Sequence, residues 1–237
     1  MTSGPDRSAS RISAMFDAIA PRYDLLNHVL SGGLDLLWRK RAIRSLRLTG
    51  RETVLDLCTG TGDLAIEARQ ARRGAARVLG LDFSGEMLRI GDAKLRRRRL
   101  GGIALVRGDA SALPTIDGSV DAVTSGFGIR NVEDRGAACR EMLRVLTPGG
   151  RLAILEFAVP TSPVFRQIYL SYFRHVLPRL GRWISGHASA YTYLPASVDA
   201  FEPAEFMELL RKSGFVDVAG DPMTFTSVYL YTARRAS

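Results

Sequence analysis

Apolar and polar residues along the middle of the chain follow two different periods, which predict strands and helices in alternation. Short continuous apolar runs are typical of strands buried in a parallel sheet, whereas apolar residues spaced three or four apart indicate helices. By these criteria we expect strands at residues 53–57, 77–82, 103–107, 120–125 and 151–157, and helices at 63–72, 84–97 and 135–145. Such alternation predicts a mostly parallel sheet with helices on both faces.

The two ends of the chain follow other patterns. Residues 13–48 have a helical period that is interrupted near Pro21 and again at Ser31-Gly32-Gly33, so we expect an N-terminal helical cap. Towards the other end, a predicted helix at 203–213 precedes two strands at 215–218 and 224–232, which are separated by Gly220-Asp221-Pro222. Such a short connection favours antiparallel pairing, so we expect the sheet to end in a hairpin. With the five strands above, the sheet would have seven strands.

Length and composition are those of one α/β enzyme domain with added segments. The chain has 237 residues, of which 46% are apolar and 24% charged, enough for a sizeable core. We expect a tail and helical cap at residues 1–48 and a main domain at 49–237, with an apolar, aromatic insertion at 159–200. Two cysteines, a start without an apolar signal core and the lack of any run of about 20 apolar residues favour a cytoplasmic protein.

The chain is strongly basic, with a net charge of +9 and a pI near 10.1. Its densest basic run, Arg96-Arg97-Arg98-Arg99, follows a predicted helix and precedes Gly101-Gly102. Cations near the C-terminal end of a helix interact favourably with its dipole, so the first interpretation is a solvated helix end. Attraction to an anionic membrane or to nucleic acid is the alternative.

The motif that carries chemistry is a glycine turn after the first predicted strand. It reads Cys58-Thr59-Gly60-Thr61-Gly62-Asp63, and Asp82 ends the second strand about 20 residues later. This spacing matches the loose G-x-G-x-x-G/A fingerprint and its acidic ribose ligand, so it predicts a nucleotide site in a βαβ unit. The fingerprint alone fits NAD and S-adenosylmethionine equally well.

Acidic residues around the turn favour S-adenosylmethionine. A pyrophosphate is bound by free amides and the positive end of a helix, whereas here Asp56 ends the strand and Asp63 begins the helix. We expect these carboxylates to repel a diphosphate and to suit a ligand that carries an ammonium and a sulfonium group. Asp82 is expected to accept hydrogen bonds from both ribose hydroxyls. The structural alternatives are a dipole-favouring acid for Asp63 and a turn residue for Asp82.

Two later turns extend this picture. Gly108-Asp109-Ala110 follows the third strand, and Val145-Leu146-Thr147-Pro148-Gly149-Gly150 leads into the strand at 151–157. With the glycine turn they resemble the class I S-adenosylmethionine-dependent methyltransferases, whose Rossmann-like fold ends in an antiparallel hairpin. The resemblance implies S-adenosyl-L-methionine as the cofactor. The cofactor-binding candidates are Asp56, Gly60, Thr61, Gly62, Asp82, Phe83, Asp109, Ala110 and Ser125.

Three further segments resemble one family, the ubiquinone/menaquinone biosynthesis C-methyltransferases. The first runs from Met15 to Trp38, the second is Phe127-Gly128-Ile129-Arg130-Asn131-Val132, and the third runs from Arg144 to Glu156. The resemblance implies methyl transfer to a ring carbon of an isoprenoid quinol. Demethylmenaquinol in menaquinone biosynthesis is the first choice, and the equivalent benzoquinol in ubiquinone biosynthesis is the second.

The chain departs from the family pattern at a few positions. Asp35 stands where the family usually has histidine, and Cys58 stands where many class I members have the first glycine of the loop. Leu26, Thr147 and Ala158 also differ from the common residues. Asp35 puts in doubt any role that the histidine of the family has.

Methylation of a quinol ring carbon requires an electron-rich ring held in line with the donor methyl group, and the removal of one proton. Positioning is worth roughly 7–11 kcal/mol, and a base adds on the order of 10²–10⁴-fold. The catalytic candidates are Arg130 for a developing quinolate, Asn131 for a ring oxygen and Tyr23 for closing the site from the cap. The structural alternatives are an ion pair of Arg130 with an acid such as Glu133, a turn position for Asn131, and cap packing for Tyr23.

The insertion has aromatic and apolar residues at helical spacing with arginines beside them. They are Phe165, Ile168, Tyr169, Tyr172, Phe173, Val176 and Leu177, with Arg166, Arg174 and Arg179. One interpretation is a core helix. The other is an apolar lid over the quinol with its arginines towards lipid headgroups, which predicts reversible peripheral contact with the inner face of the membrane.

Two functions of other kinds are compatible with parts of the sequence. The glycine turn alone permits an NAD-dependent reductase, and the basic charge permits an RNA-binding protein. We recognise no RNA-binding module and expect no nucleic-acid partner. His28, His175 and His187 show no metal-ligand spacing, so no metal is expected. The oligomeric state, the length of the isoprenoid tail and the identity of the base are left open.

Overall fold

The computed structural model describes residues 9–172 and 197–237. The cap consists of α1 (Ala9–Ile19), a 3₁₀ turn (Ala20–Arg22), α2 (Tyr23–Leu30) and α3 (Leu34–Ser45). The first half of the main domain comprises β1 (Thr53–Leu57), α4 (Asp63–Gln70), β2 (Arg77–Asp82), α5 (Gly85–Arg98), β3 (Ile103–Arg107) and β4 (Val120–Gly126). A 3₁₀ turn (Ile129–Asn131), α6 (Arg135–Val145), β5 (Leu146–Phe157), α7 (Pro163–Ser171), α8 (Pro203–Lys212), β6 (Val216–Met223) and β7 (Val228–Arg234) follow.

The strands form one seven-stranded sheet in the order β3-β2-β1-β4-β5-β7-β6. The strands β1 to β5 pair in parallel, and β7 pairs antiparallel with both β5 and β6. The predicted fold class, a mostly parallel sheet with a terminal hairpin and an N-terminal helical cap, is therefore confirmed. Strand order reverses between β1 and β4, and the crevice at the carboxyl ends of these strands is where such sheets bind ligands.

The sheet is buried on both faces because its strands are apolar at successive positions. On one face Leu55 packs with α6 and α8. On the other face Val54 packs with α4 and with Trp38, Ala42 and Ile43 of α3. The helix α3 therefore belongs to the main core and anchors the cap to it, although the sequence groups it with the preceding helices.

Several elements have the predicted bounds. The strands β1, β2 and β3 and the helix α6 begin and end at the expected residues. The basic run after α5 is the helix end that the sequence indicates: Arg96, Arg97 and Arg98 lie in its last turn and Arg99 is its C-cap. Local patterns suffice for these elements because buried strands have continuous apolar runs and helix ends have typical capping and charged residues in the sequence.

Two predicted turns near the end of the sheet are wrong. The strand β5 begins at Leu146, five residues before the expected start, and it passes Pro148-Gly149-Gly150 with a register shift against β4. In the hairpin, Gly220-Asp221-Pro222 lies within β6, and the turn is at residues 224–227. Because β6 is an edge strand, a proline without an N–H is tolerated there.

The predicted insertion is described in part. The helix α7 covers its beginning, and Phe165 stacks on Phe225 of the hairpin turn with ring centroids 3.9 Å apart. The expected lid residues Phe173, Val176, Leu177, Arg174 and Arg179 lie outside the described residues. In the described ranges, no helix is long and apolar enough to span a bilayer.

Candidate active site

Two neighbouring cavities lie at the carboxyl ends of β1, β2 and β4. The first is lined by many of the predicted cofactor residues and by two of the predicted catalytic ones. Its predicted lining residues are Tyr23, Gly60, Asp82, Phe83, Asp109, Ala110 and Asn131. Four predicted cofactor residues do not line this cavity, although each is within two residues of a lining residue in the sequence: Asp56, Thr61, Gly62 and Ser125. The third catalytic candidate, Arg130, lines the second cavity instead.

Asp82 is held at the end of β2 by backbone amides. Gly60 N donates to its Oδ2 at 2.8 Å and Ser84 N donates to its Oδ1 at 2.9 Å. The carboxylate is 8% exposed, and this burial raises its pKa while the amide hydrogen bonds oppose the rise. Both oxygens keep lone pairs for further donors, as a ribose diol requires.

The glycine turn needs left-handed backbone conformations, with φ of +56° at Gly60 and +84° at Gly62. Cys58 is also left-handed, at +51°, and its side chain faces Gly128, where an added Cβ would lie 2.2 Å from the Cβ of Cys58. The missing side chain at Gly128 therefore makes room for the cysteine. Burial raises the pKa of the Cys58 thiol well above its usual value, so this cysteine is an unreactive packing group.

The acids that were expected to repel a diphosphate do not face the cavity, so this part of the sequence argument is wrong. Asp56 is fully buried and accepts hydrogen bonds from Thr59 Oγ1 at 2.6 Å and from Thr124 Oγ1 at 2.7 Å. Asp63 forms an ion pair with Lys94 at 2.7 Å. Burial opposes its ionisation, but the Lys94 and Arg39 charges together lower its pKa.

Carboxylates other than Asp56 and Asp63 make the first cavity acidic, as the sequence predicted. Among the residues that the structure describes, its lining includes Asp82, Asp109 and Glu133 and no lysine, arginine or histidine. The remaining wall is largely apolar and includes Phe83, Met87, Ala110 and Val132. The cavity therefore suits a cationic ligand with a flat apolar part and disfavours a phosphate.

The second cavity is larger and mostly aromatic and apolar. Its volume is about 390 Å³, which lies in the range of small-molecule sites. Its walls come from the cap, from α7, from the ends of β4 and β5 and from the hairpin turn. The lining includes Met15, Phe16, Ile19, Tyr23, Leu30, Trp38, Phe127, Phe157, Phe165, Tyr169, Tyr172 and Phe225. Leu34, Ile168 and Phe225 line it while being 38%, 60% and 64% exposed, so they form its rim.

Arg130 is one of two buried arginines that line the second cavity, with Arg39. The ion pair named as the structural alternative for Arg130 is present, with Glu156 as the acid in place of Glu133. The Nη1 of Arg130 donates to Glu156 Oε1 at 2.6 Å and to the Phe127 carbonyl oxygen, and the backbone N–H of Arg130 donates to Glu156 Oε2 at 3.1 Å. The guanidinium also lies 5.5 Å from the Phe157 ring centroid. Glu156 follows 26 residues later on β5, so the pair depends on the pairing of β4 with β5.

The two cavities share part of their walls. Phe16, Tyr23 and Phe127 line both of them. Burial raises the pKa of the Tyr23 phenol, so this hydroxyl stays protonated and can donate a hydrogen bond at neutral pH. The arrangement brings an anionic cavity and an aromatic cavity together at three aromatic rings.

Sequence reasoning missed several residues of the site. Phe16 and Phe157 give no signal beyond their apolar character, and Asp17, Asp24 and Lys94 read as ordinary polar positions on helices. A search for polar residues within the segments that resemble the family would have singled out Asp17 and Asp24. Lys94 lies outside those segments.

Comparisons with known proteins agree with this geometry. A model of the ubiE/COQ5 methyltransferase family matches residues 5–235. The demethylmenaquinone methyltransferase of Deinococcus radiodurans is 48% identical over 205 residues, which are 86% of this chain and 84% of that protein. The demethylmenaquinone methyltransferase of Thermus thermophilus is 44% identical over 221 residues, or 93% and 100% of the two chains. The ubiquinone/menaquinone biosynthesis C-methyltransferase UbiE of Geobacter sp. is 45% identical over 226 residues, or 94% and 96%.

Solved structures share the fold at much lower identity. The [4+2]-cyclase SpnF has a TM-score of 0.73 at 18% identity and covers 98% of both chains. A putative methyltransferase of Bacillus halodurans has a TM-score of 0.62 at 16% identity and covers 84% of this chain and 99% of its own. The family match, which spans almost the whole chain, replaces the NAD-dependent reductase as an interpretation of the glycine turn. The chain belongs to the ubiE/COQ5 methyltransferase family.

Proposed function

We propose that this enzyme transfers a methyl group from S-adenosyl-L-methionine to a ring carbon of a demethylated isoprenoid quinol. Demethylmenaquinol is the preferred substrate, because two of the relatives described above are named for it. The benzoquinol of ubiquinone biosynthesis is the second candidate, because the name of the third relative includes both pathways. The observation that carries the proposal is the contact between an anionic cavity and an aromatic one.

The first cavity fits the cofactor. When bound, S-adenosyl-L-methionine supplies an electrophilic methyl group on a positively charged sulfur. The free lone pairs of Asp82 suit two ribose hydroxyls, and the apolar wall at Phe83, Met87 and Ala110 suits an adenine ring. Three carboxylates line this cavity and no cation is among its described lining residues, which favours the positive charge of this cofactor over the pyrophosphate of NAD.

The second cavity fits a quinol. Aromatic side chains can stack against the ring, and the exposed apolar side chains of the rim suit an isoprenoid tail that leaves the cavity there. Arg130 lines the second cavity and the adjacent Asn131 lines the first, and the proposal has a ring hydroxyl of the quinol near these two residues.

Within this site the chain has three tasks. Arg130, fixed by Glu156, stabilises the negative charge on a ring oxygen once that hydroxyl has lost its proton, and this quinolate form makes the ring carbon electron-rich. Asn131 and the protonated Tyr23 hold ring oxygens by hydrogen bonds. The aromatic wall excludes water, which strengthens each of these interactions.

The proposal includes reversible contact with the inner face of the cytoplasmic membrane, where such a quinol resides. The exposed side chains of Leu36, Leu37, Val164, Ile168 and Phe225 belong to α3, α7 and the hairpin turn, the elements around the rim. Lys40, Arg41 and Arg166 are exposed on the same helices. Apolar residues next to cations suit a bilayer surface with anionic headgroups.

The test is methyl transfer by purified protein to 1,4-naphthoquinol with one prenyl unit, kept reduced, with the matching benzoquinol in parallel. We expect faster methylation of the naphthoquinol, measured by mass spectrometry. Asp82→Ala should raise the Kd for S-adenosylhomocysteine by about 100-fold or more, because two charge-assisted hydrogen bonds are lost, each worth about 1.5–3 kcal/mol. Removing Arg130 should lower turnover roughly 100-fold or more with that Kd unchanged.

The variant at Arg130 requires a balanced design. Arg130→Ala alone leaves the buried Glu156 without its cation, which destabilises the fold by about 3–5 kcal/mol. The double variant Arg130→Ala/Glu156→Gln avoids this, and Asp92→Asn on the exposed face of α5 is the control. Failure to bind S-adenosylhomocysteine, or methylation of neither quinol, would refute the proposed function. Equal losses of cofactor affinity and turnover in the double variant would make Arg130 a structural residue.

A further inference from the structure

The helical cap is attached to the glycine turn by Asp24 of α2. Its Oδ1 accepts a hydrogen bond from Thr61 Oγ1 at 2.5 Å, and its Oδ2 lies 2.6 Å from Lys94 Nζ. Lys94 is buried, and it also donates to Thr61 Oγ1 at 3.0 Å and to Asp63 at 2.7 Å. Asp24 of the cap thus completes a polar cluster whose other members are Lys94 of α5, Thr61 of the turn and Asp63 at the start of α4.

A second attachment joins α1 to Ser84, two residues after Asp82. Ser84 Oγ donates to Asp17 Oδ1 at 2.5 Å, and the backbone N–H of the same Ser84 donates to Asp82. Asp82 in turn accepts a hydrogen bond from the backbone N–H of Gly60. The ring of Tyr23 lies close to this glycine, because a Cβ added at Gly60 would be 3.9 Å from Tyr23 Cε1. Gly60 and Ser84, which hold the Asp82 carboxylate in place, are therefore also residues that the cap contacts.

The same cap builds the second cavity. Its lining includes Met15, Ile19, Asn27 and Leu30 of α1 and α2, and α3 adds further residues. Phe16 and Tyr23 are on the cap as well and also line the first cavity. If α1 and α2 were displaced from the turn, the second cavity would lose the part of its wall that these two helices form.

We propose that Asp17 and Asp24 are positioning residues that couple the two cavities, so that filling of the first assembles the second. A ligand in the first cavity contacts Phe16 and Tyr23 and fixes the turn, which stabilises the docked cap. The docked cap then presents the wall against which the quinol binds. This inference rests on the proposed function and adds a coupling to it: the quinol binds more tightly when the first cavity is filled, and the ligand of the first cavity binds more tightly when the quinol is present.

Coupling of this kind has a measurable size. Two ligands that favour the same cap position raise each other's affinity by one common factor, typically 5- to 150-fold. We expect S-adenosylhomocysteine to lower the Kd of the short-tailed naphthoquinol on the order of tenfold. Asp17→Ala/Asp24→Ala should bring this factor close to 1, with a smaller change in the Kd of S-adenosylhomocysteine alone.

The experiment combines this binding cycle with amide hydrogen exchange on the full chain. In the wild-type protein, S-adenosylhomocysteine should slow exchange in residues 9–30, and in the double variant this protection should be lost. Asp92→Ala is the matched control, since Asp92 is an acid of α5 that pairs with Arg96 in the same helix. Asp24→Asn, which keeps an acceptor for Thr61 but loses the charge opposite Lys94, is the milder variant if the double variant does not fold.

The possible outcomes separate the two proposals. Binding of S-adenosylhomocysteine without protection of residues 9–30, or a coupling factor that both Asp24→Asn and the double variant leave unchanged, overturns the coupling and leaves the proposed function intact. Absence of S-adenosylhomocysteine binding to the wild-type protein overturns both.

Discussion

At the scale of single residues, the strand-end carboxylate was the part of the site that the sequence predicted best. Asp82 lies where the end of β2 was expected, and it faces the first cavity. The charges of Asp56 and Asp63 were misjudged, because Thr124 and Lys94, which neutralise or bury them, are 68 and 31 residues away in the chain. Pairing across strands and between helices is a tertiary property that a local motif does not contain.

Asp56 is predicted to make stability depend on pH. Burial raises its pKa from 3.8 to about 6, against the two threonine hydrogen bonds. Between these values the unfolded state binds fewer protons than the folded state, so the free energy of unfolding falls as the pH rises from about 4 to about 6. The expected contribution is about 3 kcal/mol.

Asp56→Asn isolates this contribution, because the amide keeps partners in both threonine hydroxyls and does not titrate. Urea unfolding at several pH values from 4 to 7 should give a difference between variant and wild type that grows in favour of the variant as the pH rises. Parallel stability curves for the two proteins would contradict the assignment.

At the scale of elements, prediction succeeded where one element is specified by its own residues. The parallel strands are apolar throughout, and α5 begins with Ser84 as N-cap, whose hydroxyl accepts from Met87 N. It failed in the hairpin, where Gly220 and Pro222 indicate a turn but β6 continues through them. The true turn has Thr224, Phe225 and Thr226 in left-handed conformations, and it is held by tertiary contacts such as the hydrogen bond from Trp38 Nε1 to Thr224 Oγ1.

The C-cap of α5 offers a test of local backbone energetics. Arg99 is exposed and left-handed, with φ of +51°, a conformation that costs an L-residue about 1–2 kcal/mol. Arg99→Gly should stabilise the protein by about 1 kcal/mol and raise Tm by about 2–4 °C. Arg97→Gly, two residues earlier within the helix, should destabilise it by a similar amount. Equal Tm changes in calorimetry would show that the cap conformation is not strained.

At the scale of the whole molecule, the structure separates two basic regions that the sequence could not distinguish. Arg96 to Arg99 lie at the C-terminal end of α5, which leads into the start of β3. They are therefore near the amino ends of the parallel strands, whereas the cavities are at the carboxyl ends. The apolar rim and the cations of α3 lie on the elements around the second cavity. The net charge and the positions of basic residues along the sequence do not show that these two regions are far apart in the fold.

Membrane contact should therefore depend on the rim and not on the arginine run. Ile168→Ser/Phe225→Ser should weaken binding to vesicles of phosphatidylglycerol and phosphatidylcholine by at least tenfold, since burial of each side chain contributes about 1.5–3 kcal/mol. Arg97→Gln/Arg98→Gln should have a much smaller effect. Flotation at moderate salt measures both. No flotation of the wild-type protein, or a larger loss in the arginine variant, would rule out the proposed docking face.

The position of β7 has a consequence for synthesis of the chain. It lies between β5 and β6 although it is the last of the seven strands to be translated. Until Val228–Arg234 leaves the ribosome, one edge of β5 has no partner, and that edge belongs to a strand buried on both faces. An unpaired apolar edge invites pairing with other chains. Translation that stops before Val228–Arg234 should thus release aggregation-prone products, because the sheet is completed only when this last of its seven strands is available.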